Sequence, residues 1–161
     1  MANSTCYENV RSSPLAVELT DAQSEILAQL IEVRNLQDGD ILIREGEIGS
    51  ELFIVVGGHV AVTRESGDGD WITLHNLRPR DIAGELGFLD DRAHSASLRA
   101  LGAVEVFSLK RDRLESLIDT QPRLVYLVMR AIVREIHGIL GRMNAQHVEL
   151  SNYISKRHGR Y

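Results

Sequence analysis

The residues best suited to chemistry lie between positions 81 and 100. Residues 84–87 read Gly-Glu-Leu-Gly, and His94 and Ser95 follow after six intervening residues. A glycine at the start of a short helix lets backbone N–H groups approach an anion, and the helix dipole favours negative charge there. His94 and Ser95 can add a cation and a hydroxyl to a phosphate pocket, and Glu85 is an acceptor for sugar hydroxyls. The spacing fits a phosphate-binding loop, and it equally fits a plain glycine-containing turn between two strands.

Other chemistry finds little support in the sequence. The six histidines lack the spacing of one residue that metal-binding jelly rolls of the cupin type show on a strand; they are His59, His75, His94, His137, His147 and His158. Asp90 and Asp91 beside Glu85 fit a solvated loop better than a catalytic carboxylate pair. No Gly-x-Ser-x-Gly, His-Glu-x-x-His or P-loop motif occurs. We therefore predict neither an enzyme, nor a metal site, nor a cofactor.

The composition bounds the class of protein. The chain has 161 residues, enough for one domain, with 18 Lys+Arg against 23 Asp+Glu and a net charge of -5. An acidic balance argues against a protein that coats nucleic acid or an anionic membrane. Cys6 is the single cysteine, so no intramolecular disulfide can form. The polar N-terminus and the lack of a long apolar run predict a cytoplasmic protein without membrane contact.

The pattern of turns and apolar runs predicts which elements position these residues. We expect a flexible tail over 1–13 and one or two helices over 14–32, with Thr20 as an N-cap. From 33 to 109, β-branched runs alternate with turn signals every 8–12 residues or so, which indicates a sandwich, jelly roll or barrel. Gly57 and Gly58 predict a tight hairpin between 52–56 and 59–63. Helices follow over 110–152, interrupted near Pro122, and 153–161 forms a basic tail.

The last helix carries an apolar seam at alternating spacings of four and three residues, which is a heptad pattern. Its members are Val125, Met129, Ile132, Ile136, Ile139, Met143, Gln146 and Leu150. A second stripe contains Val128, Val133, Leu140 and Val148. Two stripes on one helix favour a homodimer through the first and packing on the β domain through the second; a single helix that only covers the β domain is the alternative.

Several segments together resemble the cyclic nucleotide-binding domain family. Residues 84–89, Gly-Glu-Leu-Gly-Phe-Leu, and Ser95-Ala96 are similar to the start and end of the family's phosphate-binding cassette. Residues 39–47 and 52–62 are similar to its strand and glycine framework, and the helices after Leu109 to its lid and dimer helices. The resemblance covers residues 20–152.

This resemblance implies a fold and a set of roles. The fold is mainly β with flanking helices: an eight-stranded β-roll of the jelly-roll type with a long C-terminal helix. The implied ligand is cAMP or cGMP. By the resemblance, Gly84, Glu85 and Leu86 offer backbone amides to the cyclic phosphate, and Glu85 binds the ribose hydroxyl. The remaining implied pocket residues are Ser95 and Ala96 at the phosphate and Leu74 and Ile82 at the base.

The sequence departs from the family at the position of the arginine that contacts the phosphate. The family's Pro-Arg pair falls on Ala93 and His94, and histidine lacks the permanent charge and the bidentate fork of arginine. Arg92 shares the face of His94 in an extended segment and is the alternative cation. Family members often have glycine at the position of Arg80. The long helix presents apolar residues where activators of the family place polar groups on the adenine; these are Ile139, Leu140 and Met143.

Three functions follow as hypotheses. The first is a regulatory module that senses a cyclic nucleotide or a related phosphate and signals through its C-terminal helix to an unknown protein effector. The second is a degenerate domain that has lost the ligand and acts as a dimeric scaffold. The third is a transcription regulator, but the acidic charge and the lack of a helix-turn-helix after the long helix lead us to expect no direct DNA binding.

Overall fold

The computed structural model describes residues 4–158, with the side chain of residue 158 excepted. Helices flank a central sheet in the order helix, strands, helix. The helices are α1 (Ser4–Ser12), α2 (Asp21–Ala28), α3 (Glu85–Asp90), α4 (Arg111–Glu115) and α5 (Pro122–His158), with a 3-10 turn at Pro14–Ala16. The strands are β1 (Ile31–Leu36), β2 (Ile41–Ile43), β3 (Glu51–Glu65), β4 (Trp71–Leu77), β5 (Ile82–Ala83) and β6 (Ser97–Lys110).

The strands form an antiparallel sheet in the order β1-β6-β3-β4, with β2 added to β6 and β5 added to β3. The structure has the expected jelly-roll architecture, but six strands among the described residues instead of eight. The predicted strands 52–56 and 59–63 form one long strand, β3. Gly57 and Gly58 lie inside β3, where the register against β6 shifts twice, so the predicted hairpin there is wrong. Glycines in a strand mark bulges as well as turns, and the sequence does not separate the two.

The sheet has a buried cluster on each face, which follows from the alternation of side chains along a strand. On one face Leu52, Ile54, Ile82 and Phe107 pack with the helices. On the other face Phe53, Val55 and Val106 pack with strands of the roll itself, together with Ile43, Val60, Val62, Leu77, Ala83, Leu98, Ala100 and Val104. Neighbours in sequence, such as Ile82 and Ala83, therefore belong to different cores.

The N-terminal segment is ordered where a flexible tail was expected. Residues 4–12 form α1, in which Val10 is fully buried and Cys6 and Tyr7 pack against the helix-side core. A spacing of three and four residues puts these side chains on one face of a helix. Only three apolar residues mark the helix in the sequence, which is too weak a pattern to distinguish it from a polar tail.

Helix α5 divides into a covered and an uncovered half. Leu124, Leu127, Val128, Ala131 and Ile132 are buried in the helix-side core. Every residue from 140 to 157 is exposed. The helix also continues to His158, so part of the predicted basic tail is helical, while residues 159–161 lie outside the described residues.

The predicted dimer seam faces mostly inward. Ile132 is 0% exposed and packs within its own protomer, and Val125, Met129, Ile136 and Ile139 are half-buried against the same core. The last three members of the seam, Met143, Gln146 and Leu150, are exposed. Because a straight helix repeats every 3.6 residues, a seam that is chosen at 3.5 drifts around it. The second stripe is also divided, with Val128 buried and Val133, Leu140 and Val148 exposed.

Within residues 4–158, no helix is long and apolar enough to cross a bilayer. The same range contains no group of three or more His, Cys, Asp or Glu side chains arranged to hold a metal ion.

Candidate ligand-binding site

Helix α3 starts directly at the end of β5, and Gly84 forms the corner between them. Gly84 has a left-handed backbone (φ 77°) as the N-cap of α3. A Cβ at this position would lie 2.6 Å from the carbonyl oxygen of Glu51, so glycine is required for conformation and for space. The N–H groups of Glu85, Leu86 and Gly87 are the first of the helix and have no backbone acceptor within it. The corner thus presents backbone donors at one point, as an anion requires.

Glu85 carries a carboxylate that the fold leaves without a partner side chain. Burial raises the pKa of this carboxyl above its ordinary value, and the Glu85 backbone N–H opposes the shift. Among the described residues, no side chain donates a hydrogen bond to it. Neutral donors such as sugar hydroxyls would satisfy its lone pairs without adding charge, so Glu85 is suited to a hydroxylated ligand.

The His94 ring lies in a slot between two glycines. A Cβ on Gly49 would lie 2.9 Å from His94 Nε2, and a Cβ on Gly87 would lie 2.9 Å from His94 Cε1. Backbone bonds hold the residue in place: its N–H donates to the Glu47 oxygen (2.9 Å), and the Gly46 N–H donates to its oxygen (2.8 Å). The imidazole is therefore fixed against Gly87 in the first turn of α3.

The charge on His94 depends on its surroundings. Partial burial lowers the pKa of the imidazole, and the negative charge of Glu47 opposes that effect. A lowered pKa leaves the ring neutral at pH 7, because the ordinary value of a histidine is already about 6.5. A bound anion would favour the protonated form.

Two predicted pocket residues face elsewhere. The Arg92 side chain is 76% exposed, and its Nε donates to Asp90 Oδ2 at 2.7 Å. Since that guanidinium is engaged on the surface, it does not take the place of the missing arginine in this structure. Ile82 packs in the helix-side core with Ile54 and Phe88, because its neighbour Ala83 takes the opposite face of β5. Ile82 is therefore a core residue.

The remaining predicted residues are exposed or half-buried. Leu86 is exposed on α3, and Leu74 is exposed on β4. Ser95 is exposed, and Ala96 is half-buried against the core of the roll. The structure thus brings Gly84, Glu85 and Leu86 together at the start of α3 and places His94 against its first turn.

Three structural contributors were missing from the sequence prediction. Gly49 and Gly87 form the slot for His94, and Arg111 contacts the C-terminal end of α3. Gly87 stands in the Gly-Glu-Leu-Gly segment itself and could have been identified there. Gly49 and Arg111 are distant in sequence, and no local pattern marks their contacts.

The chain belongs to the cyclic nucleotide-binding domain family. The family's sequence model matches residues 33–121, which contain β2 to β6, the α3 corner and α4.

Three individual comparisons agree with the family. A cAMP-dependent protein kinase regulatory subunit from Dictyostelium discoideum is 37% identical over 94 residues, 56% of this chain and 29% of that protein. A CRP-like cAMP-activated global transcriptional regulator from Mycobacterium tuberculosis (strain H37Rv) is 26% identical over 136 residues, 84% of this chain and 57% of the regulator. The chain thus spans well under two thirds of both relatives. The crystal structure of a cyclic nucleotide-binding domain from Methylobacillus flagellatus has the same fold (TM-score 0.82, 19% identity), with 90% of this chain and 84% of that chain covered.

Proposed function

We propose that this chain is a non-catalytic regulatory module that binds a cyclic nucleotide at the α3 corner and signals through α5 to a protein effector. The observation that carries the proposal is the convergence of the left-handed Gly84, the first amides of α3 and the fixed ring of His94. The names of two relatives, a cAMP-dependent kinase subunit and a cAMP-activated regulator, support cAMP as the ligand. We propose a cytoplasmic location, where such a ligand is made.

The proposed roles follow from the donors and acceptors present. The amides of Glu85 and Leu86 bind the cyclic phosphate, and the Glu85 carboxylate accepts from the ribose hydroxyl. His94 supplies the neighbouring cation once it is protonated, with Ser95 and Ala96 beside it and Leu74 towards the base. The phosphate site is weaker than one with arginine, because a single imidazole makes one bond where a guanidinium makes two.

Calorimetric titration of the full chain with cAMP and with cGMP tests this function. The matched control is Glu85→Gln, which keeps the shape of the side chain and removes its charge. We expect saturable binding of one of the two nucleotides and a loss of affinity of about tenfold or more in the control, the scale of a hydrogen bond to a charged group. Absence of binding to both nucleotides would contradict the proposal and favour the degenerate scaffold.

The scaffold alternative has one observation in its favour. The cation that the family supplies by arginine is a neutral histidine here, and Arg92 pairs with Asp90 on the surface. A third function, a DNA-bound transcription regulator, is suggested by the name of the mycobacterial relative, and the net charge of -5 opposes it. A gel shift at stated salt concentrations separates that function from the others.

We also propose a homodimer through α5, along a seam that the structure revises. The half-buried and exposed side chains now follow the spacing of three and four residues in another register: Tyr126, Met129, Val133, Ile136, Leu140, Met143, His147 and Leu150. This seam keeps Met129, Ile136, Met143 and Leu150 from the predicted one and replaces the buried Ile132 with Val133. A heptad of this kind pairs with a second copy of the same helix.

Light scattering tests the dimer with two variants of equal charge. Leu140→Asp places a carboxylate in the seam, and Ala145→Asp places one on the outer side of the same exposed helix. We expect a dimer for the parent chain and for Ala145→Asp, and a monomer for Leu140→Asp, because a seam position cannot bury an unpaired charge. A monomeric parent at tens of micromolar or so, the usual working range for a modest affinity, would end this proposal.

A further inference from the structure

Arg111, the first residue of α4, contacts the far end of the cassette helix α3. Its Nη2 donates to Asp91 Oδ1 at 2.5 Å, and its Nη1 donates to the Phe88 carbonyl oxygen at 3.4 Å. Its Nε lies 3.7 Å from Glu115 Oε1, one turn further along α4. Its backbone N–H donates to the Ser50 carbonyl oxygen at 3.0 Å. One residue thus joins α3 and α4 through its side chain and the segment that leads into β3 through its backbone.

These contacts fix the C-terminal end of α3. Asp91 is the C-cap and has a left-handed backbone (φ 47°), which is costly for a residue other than glycine. The ion pair with Arg111 holds Asp91 in that conformation, and the guanidinium also faces the free carbonyl end of the helix, where a cation is favourable. Because α3 has only six residues, a tilt at this end moves the amides at the Gly84 end.

The other end of the connection leads into the C-terminal helices. Leu114 of α4 is fully buried in the same core as Leu124 of α5. Arg113, the neighbouring arginine of α4, faces away from α3: its Nη2 lies 2.8 Å from Glu32 Oε1. Arg111 is thus the arginine of α4 that the described contacts place on the cassette.

We propose that Arg111 is a positioning residue that couples the α3 corner to α4 and α5, so that ligand at the corner changes the stability of the C-terminal helices. This inference rests on the proposed function, since it names the route by which that site signals. Coupling between two sites is reciprocal. Loosening the Arg111 contacts should therefore lower the affinity for the ligand and also reduce the effect of the ligand on the stability of α4 and α5.

The experiment combines calorimetry with cAMP and hydrogen exchange with and without saturating cAMP, on the full chain. The variants are Arg111→Ala, Arg111→Lys, Asp91→Ala, the Arg111→Ala/Asp91→Ala double variant and the control Arg113→Ala. We expect Arg111→Ala to lower cAMP affinity about tenfold, as the loss of a charged hydrogen bond does, and to abolish cAMP-dependent protection in α5. Arg111→Lys, which keeps a cation for Asp91, should lie between Arg111→Ala and the parent chain. The double variant should bind cAMP no more weakly than the weaker of the two single variants, because both single variants lose the same Arg111–Asp91 ion pair.

Two results would overturn the proposal. One is wild-type affinity and wild-type protection of α5 in Arg111→Ala; the other is an equal loss in Arg113→Ala, which would make the effect a general one of α4. If the parent chain binds no cAMP, the proposed function fails. Hydrogen exchange in the absence of ligand then tests whether Arg111 holds α3 in place. The α3 amides must then exchange faster in Arg111→Ala than in Arg113→Ala, and equal rates would refute the coupling.

Discussion

The α3 corner and the exposed half of α5 differ in how closely the rest of the chain packs against them. At the corner, backbone geometry dictates the residues: Gly84 and Gly87 are in van der Waals conflict with any side chain, and the ring of His94 fills the space left. From residue 140 to residue 157 every side chain is exposed, and the periodicity of the side chains is the main information that this part of the helix carries. A substitution at the corner should therefore change folding and ligand binding, whereas one in the distal seam should change association alone.

The largest expected effect tests where this division falls along α5. Ile132→Ala removes a fully buried side chain and should lower the free energy of unfolding by about 2–5 kcal/mol. Leu140→Ala, at a position that is 49% exposed, should cost less than about 0.5 kcal/mol in the monomer. Denaturant titrations at several protein concentrations check this, because only the Leu140→Ala effect should depend on concentration. A small effect of Ile132→Ala would contradict the corrected seam.

The next effect tests the slot at the corner. In Gly87→Ala the new Cβ would lie 2.5 Å from the Gly49 oxygen and 2.9 Å from the His94 ring. We expect a loss of about 1–3 kcal/mol of stability, the usual cost of overpacking, together with weaker cAMP binding. Gly67→Ala is the control, since a Cβ there has no neighbour within 4 Å. Equal stability of the two variants by thermal unfolding would show that the slot is not tight.

The smallest effect concerns Glu85, whose buried carboxyl has a raised pKa. The fold favours the protonated form, so the parent chain loses stability as pH rises through the raised pKa, relative to a variant that cannot ionise. Glu85→Gln should therefore match the parent at pH 4 or so and exceed it at pH 7, by no more than about 1 kcal/mol, while it loses nucleotide affinity. Unfolding curves at the two pH values check the sign, and a destabilised Gln variant at pH 7 would reverse the assignment.

The sequence predicts the corner better than it predicts the helix. Local spacing predicts the turn into α3 at Gly84, because a left-handed N-cap depends on a few adjacent residues. Local spacing does not predict that Ile82 and Ile132 are buried in a core or that Arg92 pairs with Asp90, because the face that a side chain takes depends on contacts across the fold. Ligand binding by Gly84 and Glu85 stays a prediction. The hairpin predicted at Gly57 and Gly58 is wrong for the same reason, because a bulge in β3 is defined by its pairing with β6, about 45 residues away in sequence.

The central claim is that the corner binds a cyclic phosphate with His94 as its weak cation. Calorimetry with cAMP on the parent chain and on His94→Arg, at about pH 8 and pH 6, tests it most directly, since a histidine titrates near about 6.5. For the parent chain we predict tighter binding of cAMP at the lower pH. Most of this gain in affinity should come near the lower of the two pH values, because burial lowers the pKa of His94. For His94→Arg we predict binding that is independent of pH and about ten- to a hundredfold tighter than that of the parent at pH 8. No binding by either protein would contradict the claim, and so would tight binding of cAMP by the parent chain that does not change with pH.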